Sequence, residues 1–268
     1  MKTLMRLIVA GALAGTVALC AAVPNFSGSD DFSSTLGSGW SFGSMSGGGA
    51  LTISSGLLNF TDGGVTYGQT SSANGVWMPN NGSSVADWQV QIDLALIVTP
   101  VNGQICTWNL TLTNSADATD YLQVVFLKNY MQLNPFVRGT TYTNGTMGTS
   151  GQNDVTSNVT VRASYLASTQ TVILAYDSDG SAGGYSFTDL YSSPVTAWTM
   201  APGDTFVLGI GASNFTSAAA ASGTIPGTFY ADNFLASGAA IPEPSVYAAG
   251  LGVIALCAAG LKRRFGQQ

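Results

Sequence analysis

The chain has 268 residues, including 33 Gly, 3 Cys and no His, with 8 Lys and Arg against 14 Asp and Glu for a formal net charge of −6. Without imidazole there is no Ser-His-Asp or Cys-His nucleophile system, no His general base and no His-ligated zinc, which removes the commonest hydrolase and metalloenzyme designs. Nucleic acid is excluded as a partner on charge, because neutralising phosphates takes clustered Lys and Arg, and charged residues are only 8% of the chain.

Residues 1–22 carry Lys2 and Arg6, then the uncharged stretch Leu7 to Leu19, then small residues. That is the layout of a secretory signal peptide, a substrate of the Sec export machinery, with cleavage expected after Ala22. Cys20 and Ala22 fill the small-residue positions before the cut. Two other readings stay open. Lipidation at Cys20 has the bulky Leu19 against it, and a permanent anchor over residues 1–22 has the shortness of its apolar run against it.

Between Val23 and Ile241 the basic residues are Lys128, Arg138 and Arg162, against thirteen Asp and no Glu, so a domain over 23–240 carries a net charge near −10. Ser, Thr, Asn and Gly dominate, and β-branched and aromatic residues recur in short runs, a composition that favours strands over helices. Strands are predicted at 88–99, 104–113, 120–128, 158–166, 169–176, 205–213 and 228–237. Turn chemistry separates them at Pro100 to Gly103, Asn114 to Asp117, Asn144-Gly145, Ser178 to Gly184 and Pro202 to Asp204. In the first of these strands Val90, Ile92, Leu94 and Leu96 alternate with Gln89, Gln91, Asp93 and Ala95, which gives one buried and one wetter face. Gly37 to Gly49 reads as a surface loop or weak hairpin, and Ser217 to Gly223 as a second loop. Cys106 is the one thiol of this region, so no internal disulfide forms there, and it is expected to be a buried apolar filler. The fold class that follows is all-β: one domain of two packed antiparallel sheets, large enough to bury a sizeable core.

The opening Asp30-Asp31-Phe32-Ser33-Ser34 with Trp40, and the closing Tyr230-Ala231-Asp232-Asn233-Phe234, are similar to the first and last strands of many exported sandwich domains. On these residues the domain resembles a jelly roll of the concanavalin-like or carbohydrate-binding type. The resemblance implies that the two strands pair side by side. Glucanases of that type carry paired glutamates on one strand, and no Glu precedes Glu243.

Candidate chemistry is therefore carried by Asp and by aromatic residues. Paired carboxylates act as acid and base or nucleophile in glycosidases, and Asp177 with Asp179 is such a pair in sequence. Asp87 and Asp93 share a strand face but lie about 20 Å apart, too far to cooperate. No catalytic residue is assigned, and the chain is read as a non-enzyme. Flat aromatic faces stack on sugar rings; Trp77 and Trp198 lie near loop signals and are the expected glycan contacts, while Trp88 and Trp108 sit in apolar strands and are expected in the core. Two oxygen-ligand sites for structural calcium are conceivable. One is Asp177 with Asp179 before Gly180, which also reads as a solvated hairpin turn; the other is Asp30 or Asp31 with Asp232. Apart from calcium no cofactor is expected. Seven Asn-x-Ser/Thr sequons, at Asn25, Asn59, Asn81, Asn109, Asn144, Asn158 and Asn214, fit an Asn- and Thr-rich composition without requiring glycosylation.

The C-terminus, 241–268, has a different character. Ile241-Pro242-Glu243-Pro244-Ser245 leads into the uncharged run Val246 to Leu261, then Lys262, Arg263 and Arg264. Sixteen helical residues reach about 24 Å, short of the roughly 30 Å hydrocarbon core, so a transmembrane helix over 246–261 needs its basic flank to snorkel. The basic stop stays cytoplasmic, which leaves the prolines extended on the exported face. In this order, box, span and stop resemble the PEP-CTERM sorting signal. The resemblance implies processing by exosortase, a membrane-embedded cysteine transpeptidase, after transient anchoring in the inner membrane, and delivery to the cell surface or extracellular matrix. A plain anchor that is never cut stays open beside it. The whole reads as a structural or adhesive matrix protein of a biofilm. A lectin-like module for exopolysaccharide is the alternative, and an Asp-based glycosidase the third reading.

Overall fold

The computed structural model describes residues 25–238, apart from residues 34, 38, 65, 130–132, 141–157, 181–183 and 202. The expected signal peptide, the sorting motif and the helix at 246–261 lie outside the described residues, as does the turn at Asn144-Gly145. Among the described residues no helix is long and apolar enough to cross a membrane.

Among the described residues fourteen strands run in the order β1 Ser27–Asp30, β2 Trp40–Ser46, β3 Ala50–Ser54, β4 Leu57–Thr61, β5 Thr70–Ser83, β6 Trp88–Val98 and β7 Gln104–Asn114, then β8 Tyr121–Lys128, β9 Leu133–Gly139, β10 Asn158–Leu166, β11 Thr171–Asp177, β12 Thr188–Pro194, β13 Thr205–Thr216 and β14 Gly227–Ser237. They form two antiparallel sheets. The larger has the order β12-β11-β10-β6-β14-β4-β3, with β1 also on β14, and the smaller has the order β2-β5-β13-β7-β8-β9. Period-two alternation builds the space between them. Val90, Ile92, Leu94 and Leu96 of β6 face Trp108, Leu110 and Leu112 of β7, all buried.

All seven strands expected from the sequence are present, with ends shifted by up to three residues. The predicted pairing of the opening and closing strands is also present: Ser27 to Asp30 run against Ser237 to Phe234. The opening strand stops at Asp30, however, before Asp31 and Phe32. Asp30 is the reason, since its carboxylate accepts the N–H of Phe32 at 2.8 Å and of Gly37 at 2.8 Å and so turns the chain. A Cβ on Gly37 would stand 2.7 Å from the same carboxylate, so glycine is needed there. The loop expected over Gly37 to Gly49 is corrected: Trp40–Ser46 is an edge strand paired with β5. Backbone bonds and the anchoring ring of Trp40 hold it, and neither leaves a hydrophobic period in a Ser- and Gly-rich run.

Aromatic rings organise the core in two clusters. Trp40, Trp77, Phe32 and Phe234 pack at one place, and Phe26, Trp88, Tyr165, Phe206 and Trp198 at another. Trp108 does more than fill space. Its indole N–H donates across the sandwich to the carbonyl of Ala95 on β6, 3.0 Å away. Cys106 is fully buried, and burial, with Asp62 adding to it, pushes its thiol up to about 12. Replacing Trp108 by Ala should cost about 3–5 kcal/mol in denaturant unfolding, the range for emptying a buried aromatic site. Cys106 should stay unreactive to a thiol reagent in the native protein and react fully in denaturant; fast native labelling would contradict its placement.

Candidate functional site

The polar side chains of the larger sheet collect on the face turned away from the smaller one. Register places Asp232 of β14 beside Asp93 of β6, Asp93 beside Thr160 of β10, and Thr160 beside Asp177 of β11, one transverse row across four strands. At about 4.8 Å per strand it spans about 14 Å. On one side runs the row Tyr230, Ala95, Asn158, and on the other Gln91, Arg162, Ala175.

A bulge between Asp232 and Leu235 shapes the middle of this face. Asn233 sits there with φ 52°, a left-handed conformation that Asn tolerates. Its amide nitrogen donates to Asp93 Oδ2 at 2.9 Å, and the Thr160 hydroxyl donates to Asp93 Oδ1. Asp232 accepts the Asn233 N–H at 2.7 Å. Asp177 is buried and accepts the N–H groups of Ser186 and Asp179.

These carboxyls are differently tuned. Burial alone would raise Asp177, but the Ser186 N–H and its bonds with Asp179 outweigh burial and hold it below the usual range. Asp179 is held above that range, chiefly by its side-chain hydrogen bond with Asp177. Asp232 is raised by burial first, then by the charges of Asp93 and Asp31, against the pull of the Asn233 N–H.

Two depressions adjoin this row. One of about 220 Å³ is lined by Asp93, Asn158, Asp179, Tyr230, Asp232 and Asn233. The second, about 610 Å³, shares Asn233 and adds Asp30, Asp31, Gln91 and Tyr185. Tyr185 is the exposed aromatic of the site, at 48% of its full accessibility. It stacks on Phe187 with centroids 5.6 Å apart and planes at 21°, and the Arg162 guanidinium lies 3.8 Å from the Phe187 centroid. Stacking on Phe187 holds the phenol ring beside an acid-lined floor.

The residues singled out from sequence divide sharply. Trp77 and Trp198, expected as exposed glycan contacts, are 5% and 1% accessible. Each belongs to an aromatic cluster: Trp77, on the inward side of β5, packs on Trp40 and Phe234, and Trp198, in the short 3-10 turn Thr196–Trp198, packs on Phe206. Trp88 and Trp108 are in the core as expected. Asp87 and Asp93 do not share a depression; Asp87 accepts the Ala167 N–H in a different one. Asp31, Asp179 and Asp232, drawn from both expected calcium sites, border the same pair of depressions, while Asp30 is 8% accessible and engaged in its turn. Among the described residues no three carboxylates stand together as a metal-binding group, and Asp177 accepts N–H groups with both oxygens. The sequons at Asn25 and Asn214 are buried and closed to modification in the folded domain, whereas Asn158 is exposed. Tyr185, Tyr230, Asn158 and Asn233 were missed as site residues. The alternation of Tyr230 with Asp232 on a strand carried the one local signal for them.

No protein-family model matches the chain, and no curated protein matches it in sequence. Among solved structures, lectin I of Ulex europaeus in complex with the methyl glycoside of α-L-fucose is similar at 11% identity and TM-score 0.50, covering 79% of this chain and 97% of that one. The carbohydrate recognition domain of Emp46p in its potassium-bound form is similar at 13% identity and TM-score 0.48, covering 82% and 97%. Winged bean acidic lectin with methyl-α-D-galactose is similar at 14% identity and TM-score 0.48, covering 79% and 98%. The likeness is one of fold. The chain is an all-β, two-sheet sandwich of the legume-lectin-like jelly-roll kind.

Carboxyl carbon resonances followed by NMR through acid titration should show Asp179 and Asp232 protonating above the ordinary carboxylate range and Asp177 below it. On acidification the repulsion around Asp232 is relieved first. The stability that Asp177 supplies is present above its unfolded value and is lost as pH falls through its depressed folded value. A common midpoint for all three would contradict the arrangement.

Proposed function

We propose that the sandwich is a lectin-like carbohydrate-binding module of an exported surface or matrix protein, with extracellular polysaccharide as its ligand. The observation that carries this reading is the Tyr185 ring, propped on Phe187 above a floor of Asp, Asn and Gln side chains. A half-exposed aromatic supplies the apolar face of a sugar ring with a stacking surface, and carboxylates and amides around it accept and donate to hydroxyls. The fold resemblance to lectins supports the same class.

The addressing half of the proposal rests on sequence. The signal-like residues 1–22 and the Pro242-Glu243-Pro244 box before an apolar run and Lys262-Arg263-Arg264 support export, transient anchoring and exosortase cleavage. A glycan-binding domain delivered that way serves as adhesive between cell surface and matrix.

Replacing Tyr185 by Ala should weaken binding of neutral glycans about tenfold, since an aromatic contact is worth about 0.5–1.5 kcal/mol and 1.4 kcal/mol is a factor of ten. Unchanged thermal unfolding would accompany the loss, because the ring is exposed. An unaltered glycan-array profile would remove the site from this face. Intact mass of the native protein should show both ends missing, with the C-terminal cut lost when Ala replaces Pro242 and Glu243; a retained full-length C-terminus would refute the sorting half alone.

A further inference from the structure

A third depression, about 390 Å³, lies on the same face toward the β3–β4 edge, lined on its polar side by Thr52, Asn59, Thr61, Thr224 and Thr228. It adjoins the middle one. Asn59, in its wall, stands directly beside Tyr230, in the wall of the middle depression, and Asn233 is shared between the middle depression and the one under Tyr185. From β3 to β11 the strip crosses five interstrand steps, about 24 Å, which is longer than one sugar ring.

Its two ends differ in chemistry. The β3–β4 end presents hydroxyls and an amide, and its one carboxylate, Asp62, accepts the N–H groups of Gly64 at 2.7 Å and Ile225 at 2.9 Å. The other end holds Asp31, Asp93, Asp179 and Asp232, with Asp177 beneath, and the basic side chain placed beside them in register, Arg162, lies on Phe187. At physiological ionic strength charges within about 8 Å act together, so a polyanion meets the repulsion of this whole cluster.

We infer that the strip binds the interior of a linear, uncharged polysaccharide, seating several consecutive units from Thr61 to Tyr185, and that it rejects polyuronates. The inference rests on the lectin-like reading above and adds chain length and charge to it. The hydroxyl-lined end engages only units that a short oligosaccharide does not reach, while the tyrosine end engages short and long chains alike.

The test uses the full-length protein, with laminarin- and xylan-derived oligosaccharides from disaccharide to heptasaccharide as neutral probes and oligoalginate as the anionic one. Affinity should climb with length through the heptasaccharide, and oligoalginate should not bind. Thr61→Ala with Thr228→Ala should lower heptasaccharide affinity several-fold and leave the disaccharide unchanged, whereas Tyr185→Ala should weaken both. Thr228→Trp, which obstructs the hydroxyl-lined end, should reproduce the heptasaccharide loss. Affinity that is flat with length, or oligoalginate bound as tightly as the neutral chains, would overturn the inference and leave the sugar site under Tyr185 standing. Failure of every neutral probe to bind wild-type protein would overturn both.

Discussion

The fold depends on the closure of two sheets that share no strand, and the clearest device for it is Trp108. Fully buried on the smaller sheet, it fills the gap with the largest side chain available and donates its N–H to the Ala95 carbonyl of the larger sheet. Its N–H meets its acceptor only in this arrangement, so sliding the sheets would leave a buried donor unmatched, as the buried indole N–H groups of Trp40, Trp77 and Trp198 already are among the described residues. Lys128 repeats the device one residue along β6, reaching across from β8 to the Leu96 carbonyl at 2.8 Å. Both tie down β6, the strand whose opposite face carries Asp93 and Gln91. The core contacts thereby hold still the floor of the candidate site.

The second constraint is the sharing of the β14 edge. Its first half pairs with β4 and its second with β1, and the bulge at Asp232–Asn233 falls where one partner gives way to the other. A bulge re-aims side chains locally. Here it turns Asn233 toward Asp93 and leaves Phe234 and Ala236 pointing into the core. The same irregularity that lets two short strands share an edge also assembles the polar cluster. Packing and site are thus solved by one residue out of register.

How far this was legible in the sequence follows from what each signal measures. The seven strands rich in Val, Ile, Leu and aromatics could be read because alternation reports burial, and they form the centres of both sheets. The strands that escaped, β2, β3, β4, β5, β9 and β12, are mostly edge or Ser-, Asn- and Gly-bearing segments whose partner, not whose composition, makes them strands; β5 lies inside the smaller sheet and still shows Ser, Ala and Gly along its inward face. The tryptophans misled for a related reason. Proximity to Gly and Pro signals a turn in the chain, but Trp77 lies within β5 on its inward side, and the turn that carries Trp198 returns to the core, where a large ring is drawn inward by its area. Asp232 and Asp179 were visible as acids. Their meeting with Asp93 was not, because it depends on the register of β10 and β14 on β6, strands far from it in the chain.

Charge ties these points together. A domain with thirteen Asp and three basic side chains cannot neutralise its acids by ion pairs, so it places them where backbone N–H groups do the work. Asp30, Asp62, Asp87, Asp117, Asp177 and Asp204 each accept main-chain N–H groups in turns. Asp93 departs from the pattern, its oxygens meeting only the side chains of Thr160 and Asn233, and Asp232 takes a single local N–H while burial and neighbouring charge strain it. Acids that shape turns are held by the backbone wherever the chain bends. On the outer face of the larger sheet, where a central strand spends its N–H groups on its neighbours, Asp93 is matched instead by side chains from β10 and from the β14 bulge, so its neutralisation depends on the register of three strands.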